Sequence, residues 1–324
     1  MKLCEHSDFQ DAISAAKEHF NQPGLTEQFI EKDYYVTEAL RIVADGWSSA
    51  VIFKGGTSLS KGWKIIERFS EDVDLFLHKE DLLPASNKPL GRKAVNTVLK
   101  AIESSVSEHP GLTFLPDKKR STEGINRSSY FSYPTTFTTV FAIENNVLLE
   151  TGIRSGNYPI HTTDLSSYLA DFLQETGDSL EADDESSFSM RLLHFKRTFV
   201  EKLFLIHSKV IHYQSGGAPI GTYARHYYDL FCLAQKREVQ ELLQSEDYSK
   251  LKNDCDRVSQ EHFRDYHNPP ADLMFAESTA LFPWGELRKT ISKEYTEQCK
   301  NLCYGSYPSW DEVEGCFETL RKSL

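Results

Sequence analysis

The sequence has 324 residues, 40 % of them hydrophobic, which is enough for one large domain or two ordinary ones with a substantial core. Its formal net charge of −12 excludes binding to nucleic acid through bulk electrostatics, so any contact with RNA or DNA must be local. No apolar run approaches the roughly 20 residues that a membrane span requires, and we therefore expect no membrane-spanning segment.

Two features indicate the cellular compartment. Residues 1–20 lack the basic segment and apolar stretch of a secretory signal, so we expect a cytoplasmic protein. The six cysteines are scattered and form no C-x-x-C pair, which argues against a disulfide framework or a zinc site.

The first half of the chain has the pattern of a mixed α/β region. Its predicted helices cover residues 8–20, 26–44 and 90–107, with helical character also at 57–68. Its predicted strands cover residues 50–53, 73–77, 112–115, 130–143 and 146–153. We expect a small mixed β-sheet with flanking helices.

From residue 163 onward the pattern is almost wholly helical. The predicted helices cover residues 164–175, 187–213, 222–235, 238–245, 250–266, 284–303 and 309–324. The last begins with Ser309 and Glu312, which have the S-x-x-E spacing of a capping box. The sequence therefore predicts an α+β fold, with an α/β domain over residues 1–160 and a mostly helical domain over residues 161–324.

A glycine turn follows the predicted strand at 50–53. Gly55 and Gly56 precede Thr57 and Ser58, either of which would cap the helix that starts there. Backbone N–H groups at such a helix start can hold phosphate oxygens. The G-K-[ST] ending of a Walker A loop is absent, and two glycines before a helix are by themselves more often a turn than a ligand site.

A pair of carboxylates lies on the next predicted strand. Residues two apart on a strand point to the same side, so Asp72 and Asp74 share one face while Val73 and Leu75 enter the core. Two like charges this close repel each other unless a cation lies between them. Mg²⁺ commonly binds through one or two carboxylates plus substrate phosphates. Asp72 and Asp74 are therefore predicted metal ligands.

Together, GGTSL at residues 55–59 and RFSEDVDL at 68–75 resemble the AbiEii/AbiGii type of nucleotidyltransferase toxin, within the DNA polymerase β-like superfamily. The resemblance extends upstream to IEKDYY at residues 30–35. It implies a nucleotidyltransferase-like sheet in which the two Asp hold Mg²⁺ and the glycine turn contacts the triphosphate. The residues so implied in nucleotide binding are Gly55, Gly56, Thr57, Ser58 and Arg68.

Two later motifs match the same resemblance. The Arg-then-Lys helix motif of the family fits Arg197 and Lys202. Successive helix residues are rotated by about 100°, which places Arg197 on a different face of the predicted helix from Lys202 and Arg191 on the same polar face as Lys202. Which of the two arginines enters the site therefore stays open. The motif that ends in Asp after aromatic residues fits Asp229, and the two implied catalytic residues Lys202 and Asp229 are expected to pair, because a partly buried carboxylate needs a partner.

Glu150 and His226 are the remaining candidates. Superfamily members often have a third carboxylate on a later strand, and Glu150 is the local candidate for a third metal ligand, with a surface strand residue as the alternative. His226 is interpreted as structural, because a lone histidine beside aromatic residues on a helix is more often structural than a base.

The resemblance implies a metal-dependent toxin of a bacterial toxin–antitoxin or phage-defence system, with NTP as substrate, Mg²⁺ as cofactor and a cognate antitoxin. Some relatives modify the 3′ end of tRNA, which makes tRNA the expected acceptor. Nucleotidylation of a protein hydroxyl and a non-catalytic nucleotide-binding module are the alternatives. The basic residues available for RNA are Lys54, Lys61, Lys64, Arg68 and the loop at 118–127.

Overall fold

The computed structural model describes residues 1–70, 72–82, 91–122, 124–137 and 144–324. The chain divides into two compact units. Unit 1 comprises Met1–Gly62 and Ser70–Leu193, and unit 2 comprises Trp63–Phe69 and His194–Leu324. The division into domains 1–160 and 161–324 stays a prediction.

Unit 1 is built on one mixed sheet. Its strands are β1 (Val51–Lys54), β2 (Asp72–Leu77), β3 (Thr113–Phe114), β4 (Arg120–Thr122), β5 (Asn126–Ser132), β6 (Asn146–Gly152), β7 (Ile160–Leu165) and β8 (Phe188–Leu193). Their order is β3-β5-β6-β2-β1-β8-β7, with β4 paired to β5. Strand β2 pairs antiparallel with β1 and parallel with β6, so both of its edges are occupied and its residues are held in register from two sides.

Helices flank this sheet. They are α1 (Phe9–Phe20), α2 (Glu27–Trp47), the single turn α3 (Gly55–Thr57), α4 (Arg92–Ser107) and α5 (Tyr168–Thr176). Thr26 caps α2 by accepting a hydrogen bond from the backbone N–H of Phe29, as its residue type favours. The helices predicted over residues 8–20 and 26–44 are confirmed, as is the mixed α/β character of this half.

Unit 2 is helical in its described residues. Its helices are α6 (Phe195–Gln214), α7 (Arg225–Ala234), α8 (Arg237–Leu243), α9 (Glu246–His262), α10 (Gly285–Leu302) and α11 (Trp310–Leu320). The capping box predicted for Ser309 and Glu312 is present at the start of α11. The short segment Trp63–Phe69 joins this unit through the N–H of Phe69, which donates to the carbonyl of Leu302 at the end of α10.

Two predicted elements require correction. The helix predicted over residues 187–213 begins too early, because Phe188–Leu193 is strand β8, paired antiparallel with β7. Helix α6 begins only at Phe195, and the side chain of His194 caps it by accepting a hydrogen bond from the backbone N–H of Lys196. The predicted helical character from residue 163 is likewise wrong over the end of β7. The strand predicted over residues 130–143 is wrong over 133–137, because β5 ends at Ser132. Residues 138–143, and residue 90 of a predicted helix, lie outside the described residues. Across the described ranges, no helix has the length and apolar character needed to span a membrane.

Candidate active site

Three carboxylates lie side by side on two neighbouring strands of unit 1. Asp72 and Asp74 occupy alternate positions of β2, and the register of β2 with β6 places Asp74 directly opposite Glu150. The intervening Val73 and the following Leu75 are buried, whereas Asp72 and Asp74 are half-buried. The predicted alternation along this strand is therefore confirmed.

The environment of Glu150 shows the charge repulsion expected of such a cluster. Burial raises the pKa of the Glu150 carboxyl, and the negative charges of Asp74 and Asp72 raise it further. The hydroxyl of Ser128, on the adjacent strand β5, donates to Glu150 Oε1 at 3.0 Å and lowers the pKa, as does the charge of Lys54 on β1. A divalent cation bound between the carboxylates would relieve the repulsion, so this donor set fits Mg²⁺.

Gly55 lies against the carboxylate of Asp74. Its φ is +75°, in the left-handed region that glycine tolerates best. A Cβ atom at this position would lie 1.9 Å from Asp74 Oδ2, which is far inside van der Waals contact. Only a glycine therefore lets the backbone of the turn approach this carboxylate so closely.

The hydroxyl residues after the glycines have a different role from the predicted one. The helical turn begins at Gly55, so the prediction that Thr57 or Ser58 is its N-cap is wrong. The Thr57 hydroxyl donates to the carbonyl of Asp72, and the Ser58 hydroxyl donates to the carbonyl of Gly55 at 2.9 Å. Both side chains are buried: Thr57 connects the turn to the start of β2, whereas Ser58 closes a hydrogen bond within the turn.

A second charged cluster lies within unit 2 around Asp229, which is fully buried on α7. Its Oδ2 atom lies 2.7 Å from Lys202 Nζ on α6, so the predicted Lys202–Asp229 pair is confirmed. Arg68 adds a bidentate pair that sequence reasoning missed, with Nε 2.6 Å from Oδ1 and Nη2 2.7 Å from Oδ2. Burial alone would raise the pKa of Asp229, but Arg68 and Lys202 hold it well below its usual range.

Arg68 was expected to bind nucleotide. Its side chain is only 1 % exposed, and its guanidinium is engaged with Asp229 and with the carbonyl of Phe69. The geometry therefore favours a supporting role for Arg68. No local signal announces this pairing, because the two residues are 161 positions apart in the chain.

The two arginines between which the sequence could not decide lie on different elements. Arg197 is buried on α6 and pairs with Glu201 at 2.9 Å and Asp254 at 2.7 Å. Arg191 lies on β8 in unit 1 and pairs with Asp81 at 3.2 Å. The prediction that Arg191 and Lys202 share one polar helix face is therefore wrong, because Arg191 precedes the helix.

A further cluster in unit 1 brings potential metal ligands together. Among the described residues, one trio has its ligand atoms within 4.8 Å of one another: Glu38, His109 and Asp184. All four carboxylate oxygens already accept hydrogen bonds, two of them from Arg41 and Lys2. His109 Nδ1 accepts from the N–H of Gly111, so the neutral ring carries its proton on Nε2 and offers no lone pair to a metal. We interpret this cluster as structural.

Several basic residues predicted to contact RNA are engaged inside their own unit. Lys61 Nζ donates to Asp33 at 2.7 Å and to the carbonyl of Ser166 at 2.8 Å. Arg127 is buried and pairs with Glu103 at 3.1 Å. The exposed basic residues that remain from the predicted set include Lys64, Lys118 and Arg120.

Comparison with known proteins identifies the family. The family described as "Nucleotidyl transferase AbiEii toxin, Type IV TA system" matches residues 38–311, which is most of the chain. No curated protein matches the sequence. The solved structure of MenT4, a nucleotidyltransferase toxin from Mycobacterium tuberculosis H37Rv, aligns with a TM-score of 0.44 and 13 % identity over 96 % of this chain and 97 % of that chain. The chain belongs to the AbiEii family of nucleotidyltransferase toxins of type IV toxin–antitoxin systems.

Proposed function

We propose that this protein transfers a nucleotide from an NTP to an acceptor hydroxyl, with Mg²⁺ held by Asp72, Asp74 and Glu150. The observation that carries the proposal is the pairing of Asp74 with Glu150 across β2 and β6, next to the glycine turn at Gly55. A sheet with only a structural role has no need of repelling carboxylates on adjacent central strands. Their placement is explained if a cation binds there.

In the proposed reaction, the acceptor oxygen attacks the α-phosphorus of the NTP and loses its proton to water. The bond from that phosphorus to the β-phosphate bridging oxygen breaks, and pyrophosphate leaves. A metal held by these carboxylates would supply charge neutralisation on the phosphates and activation of the hydroxyl. The chain itself holds the reactants in place. The N–H groups of the Gly55–Gly56 turn are proposed to bind phosphate oxygens, with Thr57 and Ser58 fixing the shape of the turn.

Lys202 is the proposed cation for the triphosphate. Its ammonium is fixed by Asp229, which in turn is fixed by both arms of the Arg68 guanidinium. A lysine oriented in this way loses less conformational freedom on binding than a solvated one. Asp229 and Arg68 are accordingly proposed as positioning residues for Lys202.

The 3′ end of tRNA is the proposed acceptor, in the cytoplasm, and a cognate antitoxin is the proposed regulator. The support for tRNA is the resemblance to toxins that modify tRNA, together with exposed basic residues such as Arg120 and Lys64. Protein nucleotidylation is the second candidate, favoured by the net charge of −12, which weakens general attraction to RNA.

Labelling with each α-labelled NTP, in the presence of total bacterial RNA and total protein, tests the proposal. We expect label in a tRNA-sized band with Mg²⁺. Asp72→Asn and Asp74→Asn should each reduce labelling by at least about a hundred-fold, because several kcal/mol of charge stabilisation depends on the metal. Asp164→Asn is the matched control, since it removes an exposed carboxylate from β7 of the same sheet, and it should leave labelling unchanged.

The other outcomes separate the alternatives. Label in a protein band favours protein nucleotidylation, whereas NTP binding with no labelled product favours a non-catalytic nucleotide-binding module. Wild-type labelling by Asp72→Asn or Asp74→Asn would contradict the metal assignment.

A further inference from the structure

His226 lies at the junction that holds Lys202. Helix α7 supplies His226 and Asp229, helix α6 supplies Lys202, and the segment Trp63–Phe69 supplies Arg68, all within unit 2. His226 Nδ1 lies 3.0 Å from Lys202 Nζ and 3.2 Å from Asp229 Oδ2. The His226 side chain is 11 % exposed, so its nitrogen interactions are made mainly inside the protein.

The hydrogen-bond capacity of Asp229 determines the role of His226 Nδ1. An ionised carboxylate oxygen offers about two lone-pair positions. Oδ2 of Asp229 already accepts from Arg68 Nη2 at 2.7 Å and lies 2.7 Å from the Lys202 ammonium. Both positions are then occupied, and a proton on His226 Nδ1 would have no free acceptor there.

His226 Nδ1 is therefore the acceptor, and its donor is the Lys202 ammonium. An ammonium group has three N–H bonds. One is directed to Asp229 and one to His226, so a single N–H remains for a third partner. Burial lowers the pKa of His226 to about 3, assisted by the charge of Lys202, and the ring is neutral at physiological pH as this arrangement requires.

We propose that His226 is a positioning residue that keeps the Lys202 ammonium charged and leaves its third N–H for a phosphate oxygen of the nucleotide. This inference rests on the proposed role of Lys202 in binding the triphosphate. It gives a specific task to a histidine whose sequence context indicates only a structural one. His226 does not itself touch the substrate.

The charged groups around Lys202 fix the sign of its pH dependence. Burial lowers the pKa of Lys202, Asp229 opposes this effect, and Arg68 and Arg225 add to it. A hydrogen bond accepted by His226 stabilises the ammonium and so also opposes the lowering. Affinity for a triphosphate is present below the pKa of Lys202 and is lost as pH rises through it. Removal of the acceptor must therefore move that loss to lower pH.

The test is calorimetric binding of inorganic tripolyphosphate with Mg²⁺ to the full chain as a function of pH. This probe carries no base, so the identity of the NTP does not matter. In His226→Phe, the pH at which binding falls to half should decrease by roughly one to two units, the size expected for a lost hydrogen bond to a charged group. His226→Asn, which returns an acceptor oxygen near the position of Nδ1, should restore most of the wild-type profile.

His207→Phe is the matched control. His207 is buried on α6, burial lowers its pKa to about 4, and its Nδ1 is bonded to Ser278 instead of Lys202. It should lose stability without a change in the pH midpoint. An unchanged midpoint in His226→Phe, or an equal shift in His207→Phe, would overturn the inference.

A measurement on the unaltered protein covers the case in which His226→Phe does not fold. The ¹⁵N resonances of His226, assigned by comparison with His226→Asn, should show the neutral tautomer protonated on Nε2. A proton on Nδ1 would overturn the inference. Lys202→Met tests the proposed function separately from the His226 inference. Wild-type tripolyphosphate binding by Lys202→Met would contradict the triphosphate role of Lys202. The tautomer of His226 reports only on the His226–Lys202 hydrogen bond.

Discussion

At the scale of single residues, Gly55 has the least freedom to change. Gly55→Ala adds a Cβ that would meet Asp74 Oδ2 at 1.9 Å, and it places alanine at a φ of +75°. The left-handed conformation alone costs about 1–2 kcal/mol, and a shift of about 1 Å at the carboxylate can cost about a hundred-fold in rate. We expect a loss of labelling activity of at least ten-fold and a lower melting temperature.

Gly46→Ala is the control for this change. Gly46 lies in α2, and a Cβ there would meet no atom within 4 Å. Because alanine is a better helix former by about 1 kcal/mol, this variant should be at least as stable as the wild type and fully active. Full activity of Gly55→Ala would show that the turn has no part in placing Asp74.

The carboxylates and hydroxyls of the candidate site show which side-chain positions can be predicted from the sequence. The shared face of Asp72 and Asp74 was predictable because a strand repeats every two residues, which is a local property. The sequence leaves open whether Glu150 is a metal ligand or a surface strand residue, because its position opposite Asp74 depends on which strands are neighbours. The predicted capping role of Thr57 and Ser58 is wrong because the helical turn already begins at Gly55, with Lys54 as its N-cap residue.

At the scale of elements, Asp229 connects two helices of unit 2 to the segment Trp63–Phe69. Asp229→Asn leaves Arg68 and Lys202 as buried cations without a counter-charge. Loss of one member of a buried ion cluster typically destabilises a protein by about 3–5 kcal/mol. We expect a loss of this order in urea unfolding, together with loss of transfer activity.

A control and a rescue make this prediction specific. Glu241→Gln breaks an ion pair with Arg237 in which both side chains are largely exposed to solvent, so the urea-unfolding midpoint should stay close to that of the wild type. Replacement of the whole cluster by apolar residues should regain stability relative to Asp229→Asn but not activity. Equal stability of Asp229→Asn and the wild type would mean that the cluster is not a structural centre.

The helices of unit 2 show which elements can be predicted from local sequence and which cannot. Ser309 and Glu312 predict the start of their helix through the spacing of a capping box, and that capping box is present. The start of α6 was placed too early because Phe188–Leu193 continues the apolar composition of the helix. Only its pairing with β7 identifies this segment as strand, and that pairing is a long-range contact. The Arg68–Asp229 pair escaped prediction for the same reason.

At the scale of the whole molecule, the net charge of −12 limits how RNA can be bound. Since Lys61, Arg68 and Arg127 are engaged internally, we expect few phosphate contacts. Each contact contributes about −0.7 to −0.9 to the slope of log affinity against log salt, so the slope for tRNA should be shallower than about −4.

Arg120 and Lys64 are the residues to change in this experiment, because both are exposed. The double substitution to Gln should reduce the magnitude of the slope by roughly 1.4 to 1.8, with binding of Mg²⁺ and tripolyphosphate unaltered. The control is Arg237→Gln, which removes an exposed charge paired with Glu241 and should leave the slope unchanged. A slope steeper than about −4 in the wild type would contradict this view of the surface.

The interleaving of the two units has a consequence for how such a gene can recombine. Residues 63–69 belong to unit 2, yet in the chain they lie between the glycine turn and β2 of unit 1. A crossover anywhere between residues 69 and 228 would take Arg68 from one parent and Asp229 from the other. Such a hybrid keeps its buried charges balanced only if both parents encode the same pair. A graft of unit 2 from a relative must therefore include the seven residues of this segment as well as everything after residue 193.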